Sequence, residues 1–198
     1  GFTTRPRMAD QLLLQAVRDG DCNEVAYLVE EDQADVNVRS GNGNSTLHIS
    51  VEKNNEACVK LLLTYKANVN VKSPKDLGGY TPLHIAAQHD YWKIAQILLE
   101  NKANVNAISE SGSTPLIEAA KYGKKNMIAI LLRKNPEASV RDKNGMSAYY
   151  YAKKGGMKEI AEHLPAEPYD EWKNVPEEMI KAAADGGGGK KKGKKKKK

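Results

Sequence analysis

The sequence has few cysteines, no long apolar run and no secretion signal, and each absence argues against a class of protein. None of the 198 residues lies in a run of about 18 apolar side chains, so no segment is predicted to span a membrane. No basic segment leads into an apolar stretch with a cleavage site, so no secretion is expected. Cys22 and Cys58 fit no metal-binding or disulfide spacing. We interpret them as free thiols in a reducing compartment, the cytosol or the nucleus.

Catalytic and cofactor-binding patterns are also missing. No combination of serine, histidine and acid indicates a nucleophile, and no histidines and cysteines stand at metal-ligand spacing. The segment "DGGGGKKKGKKKKK" has the glycine and lysine spacing of a phosphate-binding loop, but Lys195 replaces the Ser or Thr that would bind magnesium. The sequence therefore predicts a protein that is not an enzyme and has no cofactor, metal or small-molecule substrate.

The formal net charge of +6 comes from the C-terminal tail. Eight of the 31 basic residues are found there, and the other 23 are fewer than the 25 acidic residues of the chain. Glycines followed by self-repelling lysines predict disorder over residues 186–198. The tail is interpreted either as an engineered or chance extension or as a polyanion-binding segment for RNA, the ribosome, acidic tubulin-like tails or anionic lipid. Its candidate residues are Lys190, Lys191, Lys192, Lys194, Lys195, Lys196, Lys197 and Lys198.

What the sequence does contain is a repeated unit. Leu47, Leu83, Leu116 and Tyr149 open similar segments and lie 36, 33 and 33 residues apart. A second apolar cluster follows each of them, as in "IAQILL", and the first three clusters continue into "ANVNV", "ANVNA" and "PEASV". An upstream segment, "LLLQAVRDGDCNEVAYLVEEDQADVNV", is the same unit without its opening turn. A period of about 33 residues predicts a stacked array of helix pairs.

This pattern resembles the ankyrin repeat family over residues 9–164. The family's T-P-L-H-x-A-A core is intact at Thr81 to Ala87 and nearly intact at Thr114 to Ala120, where Ile117 takes the histidine position. The resemblance implies an all-α solenoid of helix–turn–helix units joined by hairpin-like turns. The predicted repeats are 9–39, 40–72, 73–108, 109–141 and 142–164. Residues 1–8 are interpreted as a vector remnant or disordered start, and 165–185 as an extension with a short helix.

Individual residues of the motif support this interpretation physically. Thr81 followed by Pro82 is typical of a helix start, because the threonine hydroxyl caps the helix and proline has no N–H to leave unpaired. Residues that tolerate a left-handed backbone are expected to end the first helices: Gly20, Asn54, Asp90, Gly123 and Gly156. His48 and His84 are expected to hydrogen-bond backbone near the neighbouring turn, as in the family.

The resemblance implies that the concave face and the turn tips bind another protein. The leading hypothesis is a monomeric, non-catalytic adaptor, and the alternative is a polyanion-binding protein driven by the tail, with passive repeats. The candidate surface runs from mixed charge to basic and aromatic, which predicts an acidic or amphipathic partner segment. Its candidate residues are Arg18, Lys53, Tyr80, Gln88, His89, Glu110, Ser113, Lys121, Tyr122, Met146 and Lys154.

Overall fold

The computed structural model describes residues 7–165, which form ten α-helices in five consecutive pairs. The pairs are α1 (Met8–Asp19) with α2 (Cys22–Glu30), α3 (Thr46–Glu52) with α4 (Glu56–Thr64), α5 (Pro82–His89) with α6 (Trp92–Glu100), α7 (Pro115–Lys121) with α8 (Lys125–Leu132), and α9 (Ala148–Lys154) with α10 (Lys158–Ala161). Between residues 7 and 165 β-structure is limited to two isolated bridges. The predicted all-α array is confirmed.

The first helices begin as the motif predicts. Thr81 and Thr114 are N-cap residues with proline in the first turn, and the Thr114 hydroxyl accepts a hydrogen bond from the Ile117 N–H. The residues expected to leave these helices in a left-handed conformation do so, with φ between 54° at Asn54 and 78° at Gly20. A single polar or glycine residue therefore turns the chain from each first helix into the second.

The helices pack in two rows. The first helices of successive pairs contact one another from α1 to α9, and the second helices contact one another from α2 to α8. Equivalent leucines of the second helices, including Leu62, Leu98 and Leu131, are completely buried. Burial of these side chains between neighbouring pairs stabilises the array, since one pair alone cannot cover its own apolar faces. No helix among the described residues is both long enough and apolar enough to cross a membrane.

Asparagine side chains connect the loops that follow the second helices. The last residue of each D/N-V-N segment accepts a backbone N–H from the next repeat, which explains why this segment recurs once per repeat. The donor–acceptor distances are 2.8 Å (Asn68 N to Asn37 Oδ1), 2.7 Å (Asn104 N to Asn70 Oδ1) and 2.8 Å (Glu137 N to Asn106 Oδ1). Each bond is favourable because it pairs a backbone N–H that would otherwise lack an acceptor. Each bond also joins one loop to the next and so fixes the spacing of neighbouring loops.

The first repeat begins earlier than the sequence indicates. Residues 1–8 are predicted to be a remnant or disordered start, but Arg7 is the N-cap residue of α1 and Met8 is its first residue. The Arg7 guanidinium donates to the Gln33 carbonyl oxygen at 2.9 Å. Asp10 is buried and accepts the Asp35 N–H at 2.8 Å. Asp10 thus accepts the hydrogen bond that an asparagine of the preceding repeat accepts elsewhere. The series of inter-repeat hydrogen bonds begins at this residue.

The two cysteines are free thiols, as expected, but they are not isolated from each other. Their sulfur atoms lie 2.8 Å apart, with Cys58 buried and Cys22 partly exposed. Sequence spacing alone did not indicate this contact. The predicted helix within residues 165–185 and the glycine–lysine tail at 186–198 lie outside the described residues.

Candidate protein-binding surface

The C-terminal ends of the first helices form one row of exposed side chains, the first-helix face. Arg18, Lys53, His89, Lys121 and Lys154 lie one or two positions before the left-handed residue that follows each first helix, and all five are exposed. The repeat period places them in one row, because neighbouring positions of stacked repeats lie side by side. The face is thus built from rigid helix ends, and the turns border it.

A groove of about 400 Å³ lies on this face between the turns and first helices of the second and third repeats. Leu77 is 40% exposed there, and Ile85 contributes further apolar surface. The remaining lining is polar. Its residues are Asn42, Asn44, Glu52, Ser73, Tyr80, Gln88 and His89.

The polar side of the groove includes one carboxylate, that of Glu52. The Asn44 side-chain amide donates to Glu52 Oε1 at 3.0 Å. Burial raises the pKa of Glu52, although the positive charge that His89 and Lys53 can carry partly opposes this. Among the described residues Asn44 Oδ1 is a buried atom without a hydrogen-bond partner. The groove therefore offers the exposed Glu52 carboxylate to a donor on a partner, whereas the Asn44 oxygen is enclosed.

A buried carboxyl group lies beside the groove. Glu118 is fully buried in α7, at a position that α3 and α5 fill with Ile49 and Ile85. Its Oε2 atom accepts a hydrogen bond from the Gln88 amide at 3.0 Å, and within residues 7–165 its Oε1 atom has no hydrogen-bond partner. Burial and the nearby Glu118 carboxyl raise the pKa of Tyr80. The signal in the sequence is the glutamate in "TPLIEAA", where the second and third repeats have isoleucine.

Three lysine–tyrosine contacts occur in the last two repeats, and Lys121, Tyr122 and Lys154 place part of them on the first-helix face. Lys121 Nζ lies 5.8 Å from the centre of the Tyr122 ring, and the side chains of α9 repeat the arrangement at 5.6 Å and 5.7 Å. Tyr122 is 51% exposed. We call these six residues the Lys–Tyr cluster: Lys121, Tyr122, Tyr149, Tyr150, Lys153 and Lys154. An ammonium group and the aromatic ring beneath it attract each other by cation–π interaction, which holds the positive charge next to apolar surface.

The family match agrees with this architecture. The sequence model of the family described as Ankyrin repeats (3 copies) matches residues 13–109 and 103–171, which is most of the chain. The chain is a member of the ankyrin repeat family. A comparison with curated proteins found no match. Ankyrin repeats are in general modules of protein–protein interaction, and the family is in general non-catalytic.

Two of the candidate binding residues are not available to a partner. Ser113 and Met146 were expected at the turn tips of the ankyrin repeats, but only 2% and 1% of their surfaces are exposed. The Ser113 carbonyl oxygen contacts His84 Nε2, and the Met146 carbonyl oxygen accepts the Asp142 N–H. Both residues therefore connect the turns to the array. Glu110 is half-buried, and its N–H donates to the Gly78 carbonyl oxygen at 2.9 Å.

The motif histidines are structural in these ankyrin repeats. His48 Nε2 lies 2.9 Å from the Tyr80 carbonyl oxygen, and His84 Nε2 lies 3.0 Å from that of Ser113. Burial lowers the pKa of each histidine to about 4, so both are neutral at pH 7. Within residues 7–165 no group of three or more His, Cys, Asp or Glu side chains could hold a metal ion.

Proposed function

We propose that this protein is an adaptor that binds an acidic, partly apolar segment of another protein along its first-helix face. The observation that carries the proposal is the Lys–Tyr cluster on α7 and α9. Tyrosine and positively charged side chains next to apolar surface are typical of residues that dominate binding energy at interfaces. The face is concave in the ankyrin family, which suits an extended segment.

The charge around the cluster supports an acidic partner. Residues 109–165 contain ten lysines and arginines against six aspartates and glutamates, a formal net charge of +4. An excess of positive charge speeds the approach of an acidic segment and disfavours a basic one. The tyrosine rings would then contact the apolar side chains of that segment.

Two peptides of equal length and equal apolar content test this proposal, one rich in Glu and Asp and the other rich in Lys and Arg. We expect the acidic peptide to bind the full chain more tightly than the basic one. Replacing both Lys121 and Tyr122 with alanine should lower the affinity for the acidic peptide by roughly tenfold or more. Interface anchors contribute at least about 1–2 kcal/mol each to the binding free energy. Fluorescence anisotropy would measure both affinities.

A matched control is available on the second helices. Tyr27 is 55% exposed on α2 and Lys60 is exposed on α4, away from the first-helix face. The Tyr27→Ala, Lys60→Ala double variant removes the same two residue types and should leave the affinity unchanged. Equal losses in both double variants, or equal binding of both peptides, would refute the proposed surface. The melting temperature should be the same in all three proteins.

A second candidate function rests on the tail. Eight lysines among the last nine residues, with no aromatic residue between them, suit weak and sequence-independent binding of polyanions. The full chain should bind single-stranded RNA more tightly than a chain ending at Asp185, and the difference should shrink as salt increases. Equal affinity of the two chains would leave the tail without this function.

A further inference from the structure

Cys22 and Cys58 bring two thiols together at the junction of the first and second repeats. Cys22 is the first residue of α2 and Cys58 is the third residue of α4. They are 36 positions apart in the sequence, yet their sulfurs are 2.8 Å apart. Disulfides require close and correctly directed side chains, so cysteines that lie far apart or point away from each other cannot form one without backbone movement. This pair already has its sulfurs in contact.

A local hydrogen-bond network holds the two helix starts in register without using the sulfur contact. Asn55 caps α4, where its Oδ1 atom accepts the Cys58 N–H at 3.0 Å. The same side chain donates from Nδ2 to the Gly20 carbonyl oxygen at 3.4 Å, and Cys22 Sγ lies 3.7 Å from that oxygen. Both cysteines therefore lie next to one asparagine that bridges the two repeats.

The other junctions do not repeat this arrangement. The first and third positions of successive second helices are Glu56 with Ile94, Trp92 with Met127, and Lys125 with Ile160. The cysteines thus occur only where the first repeat is joined to the array. A terminal repeat has one neighbour instead of two, so it opens more easily than an internal one.

We propose that Cys22 and Cys58 form a reversible disulfide that fastens the first repeat to the second when a small-molecule disulfide is present as oxidant. The partly exposed Cys22 thiolate attacks one sulfur of the oxidant, which gives a mixed disulfide and releases one small thiol. Cys58 then loses its proton and attacks the Cys22 sulfur, which releases the second thiol. Two protein S–H groups become one S–S bond, and the oxidant is reduced to two thiols.

Access and protonation determine the order of these two steps. Cys58 is fully buried, so a small-molecule disulfide reaches Cys22 first. Burial and the contact with Cys22 raise the pKa of Cys58 to about 12, which keeps this thiol protonated at pH 7. Ring closure is therefore the slow step, and its rate should rise as the pH increases.

The test treats the full-length protein with oxidised glutathione, blocks the remaining thiols by alkylation and locates the cross-link by peptide mass spectrometry. We expect the loss of two hydrogens and a linked peptide pair that contains both cysteines. Amide hydrogen exchange in α1 and α2 should become roughly tenfold slower or more, because the cross-link restricts the opened chain and so disfavours opening. Exchange in α7 and α8 should not change, and dithiothreitol should reverse the effect.

Two single variants keep the proposal falsifiable. Cys58→Ala should accumulate the glutathione adduct on Cys22, since the second thiol is missing. Cys22→Ser should leave the buried Cys58 unmodified. A lasting glutathione adduct on Cys22 of the unaltered protein, a disulfide between two protein molecules, or unmodified thiols would each overturn the proposal.

Discussion

Repeats one to three and repeats four and five share one helical scaffold but carry opposite charge. Residues 7–108 contain 13 aspartates and glutamates against ten lysines and arginines, a formal net charge of −3, whereas residues 109–165 have +4. The difference lies mainly in exposed positions, because the buried faces of both regions are apolar. Since each repeat needs only its buried face to stack, evolution can change the exposed charges of the two regions independently.

The two regions also differ in how polar groups are buried. The first region has His48 and His84 bonded across to the next turn, whereas the second has Ile117 at this position and buries the Glu118 carboxyl instead. The neutral histidines bond to neighbouring backbone, but one oxygen of Glu118 lacks a partner among the described residues. The second region therefore replaces a cross-repeat hydrogen bond with apolar packing, and it buries a carboxyl group at the next position.

The shared core is tested by the variant with the largest expected effect. Leu98→Ala in α6 should lower the free energy of unfolding by about 2–5 kcal/mol, because it leaves a cavity among packed helices. If both regions share one scaffold, Leu131→Ala in α8 should cost a similar amount. Leu12→Ala removes the same atoms from a side chain that is 45% exposed and should cost under about 0.5 kcal/mol. Urea unfolding measures all three, and a small effect at Leu98 would contradict the proposed core.

Acid should weaken the first region more than the second. The folded pKa of His48 and His84 is about 4, below the ordinary value of 6.5, so their full contribution is present above about pH 6.5 and is lost as the pH falls toward 4. At about pH 5 the expected loss is roughly 2 kcal/mol per histidine. Urea unfolding between pH 7 and pH 5 measures it.

The location of the loss provides a check on this pH dependence. Hydrogen exchange, corrected for its intrinsic dependence on pH, should show the loss of protection in α3 and α5 before α7. A flat stability profile from pH 6.5 to 5 would show that these histidines are not buried in their neutral form.

The stability of the N-terminal end of the array should depend on the carboxylate of Asp10. Asp10→Ala should cost about 1–2 kcal/mol, since it removes the acceptor of the Asp35 N–H and the partner of Arg7. Asp10→Asn keeps an acceptor oxygen and should cost less. Hydrogen exchange should locate the loss in α1 and α2, whereas protection in α7 and α8 that fell equally would contradict a local cap.

The pH dependence of Asp10 differs from that of the histidines. Burial acts to raise the pKa of Asp10, but the Asp35 N–H and the Arg7 guanidinium lower it more, below its ordinary value of 3.8. Its contribution is therefore present above about pH 4 and is lost only as the pH falls through the lower folded value. Asp10→Ala should thus lose nearly the same stability at pH 7 and at about pH 5.

The smallest effect is expected at the buried carboxyl of the second region. Glu118→Gln keeps the shape and an acceptor for Gln88 while removing a group that can be charged, so the free energy of unfolding should rise by up to about 1 kcal/mol. Glu110→Gln in the preceding turn changes a half-buried acid and should have almost no effect. Urea unfolding compares the two variants, and a clear loss at Glu118 would mean that its unpaired oxygen has a partner in solution.

Features that recur once in each repeat were predictable from the sequence. The helix starts at Thr81 and Thr114, and the left-handed residues that follow each first helix, were read from local chemistry and occur as expected. The histidine contacts followed from the family resemblance. The exposed row on the first-helix face was also predicted, apart from the turn residues Ser113 and Met146.

Features that occur once were not predictable in this way. Asp10 lies before the first recognisable motif, so no neighbouring repeat indicated that it would accept the Asp35 N–H. The burial of Ser113 and Met146 depends on how closely one turn packs against the next. The groove of the second and third repeats likewise depends on the turn at residues 72–80, which contains a short 3₁₀ helix (Lys75–Leu77) that no sequence pattern specified.

The sequence by itself determined the helix pairs, their number and their stacking order, because period, capping and burial pattern are properties of short segments and of their repetition. Only the tertiary structure decided which residues of different repeats meet. The Cys22–Cys58 contact and the Gln88–Glu118 hydrogen bond both join residues about one repeat apart. Their distances depend on the rotation and spacing between stacked pairs, which arise from the packing of many side chains at once.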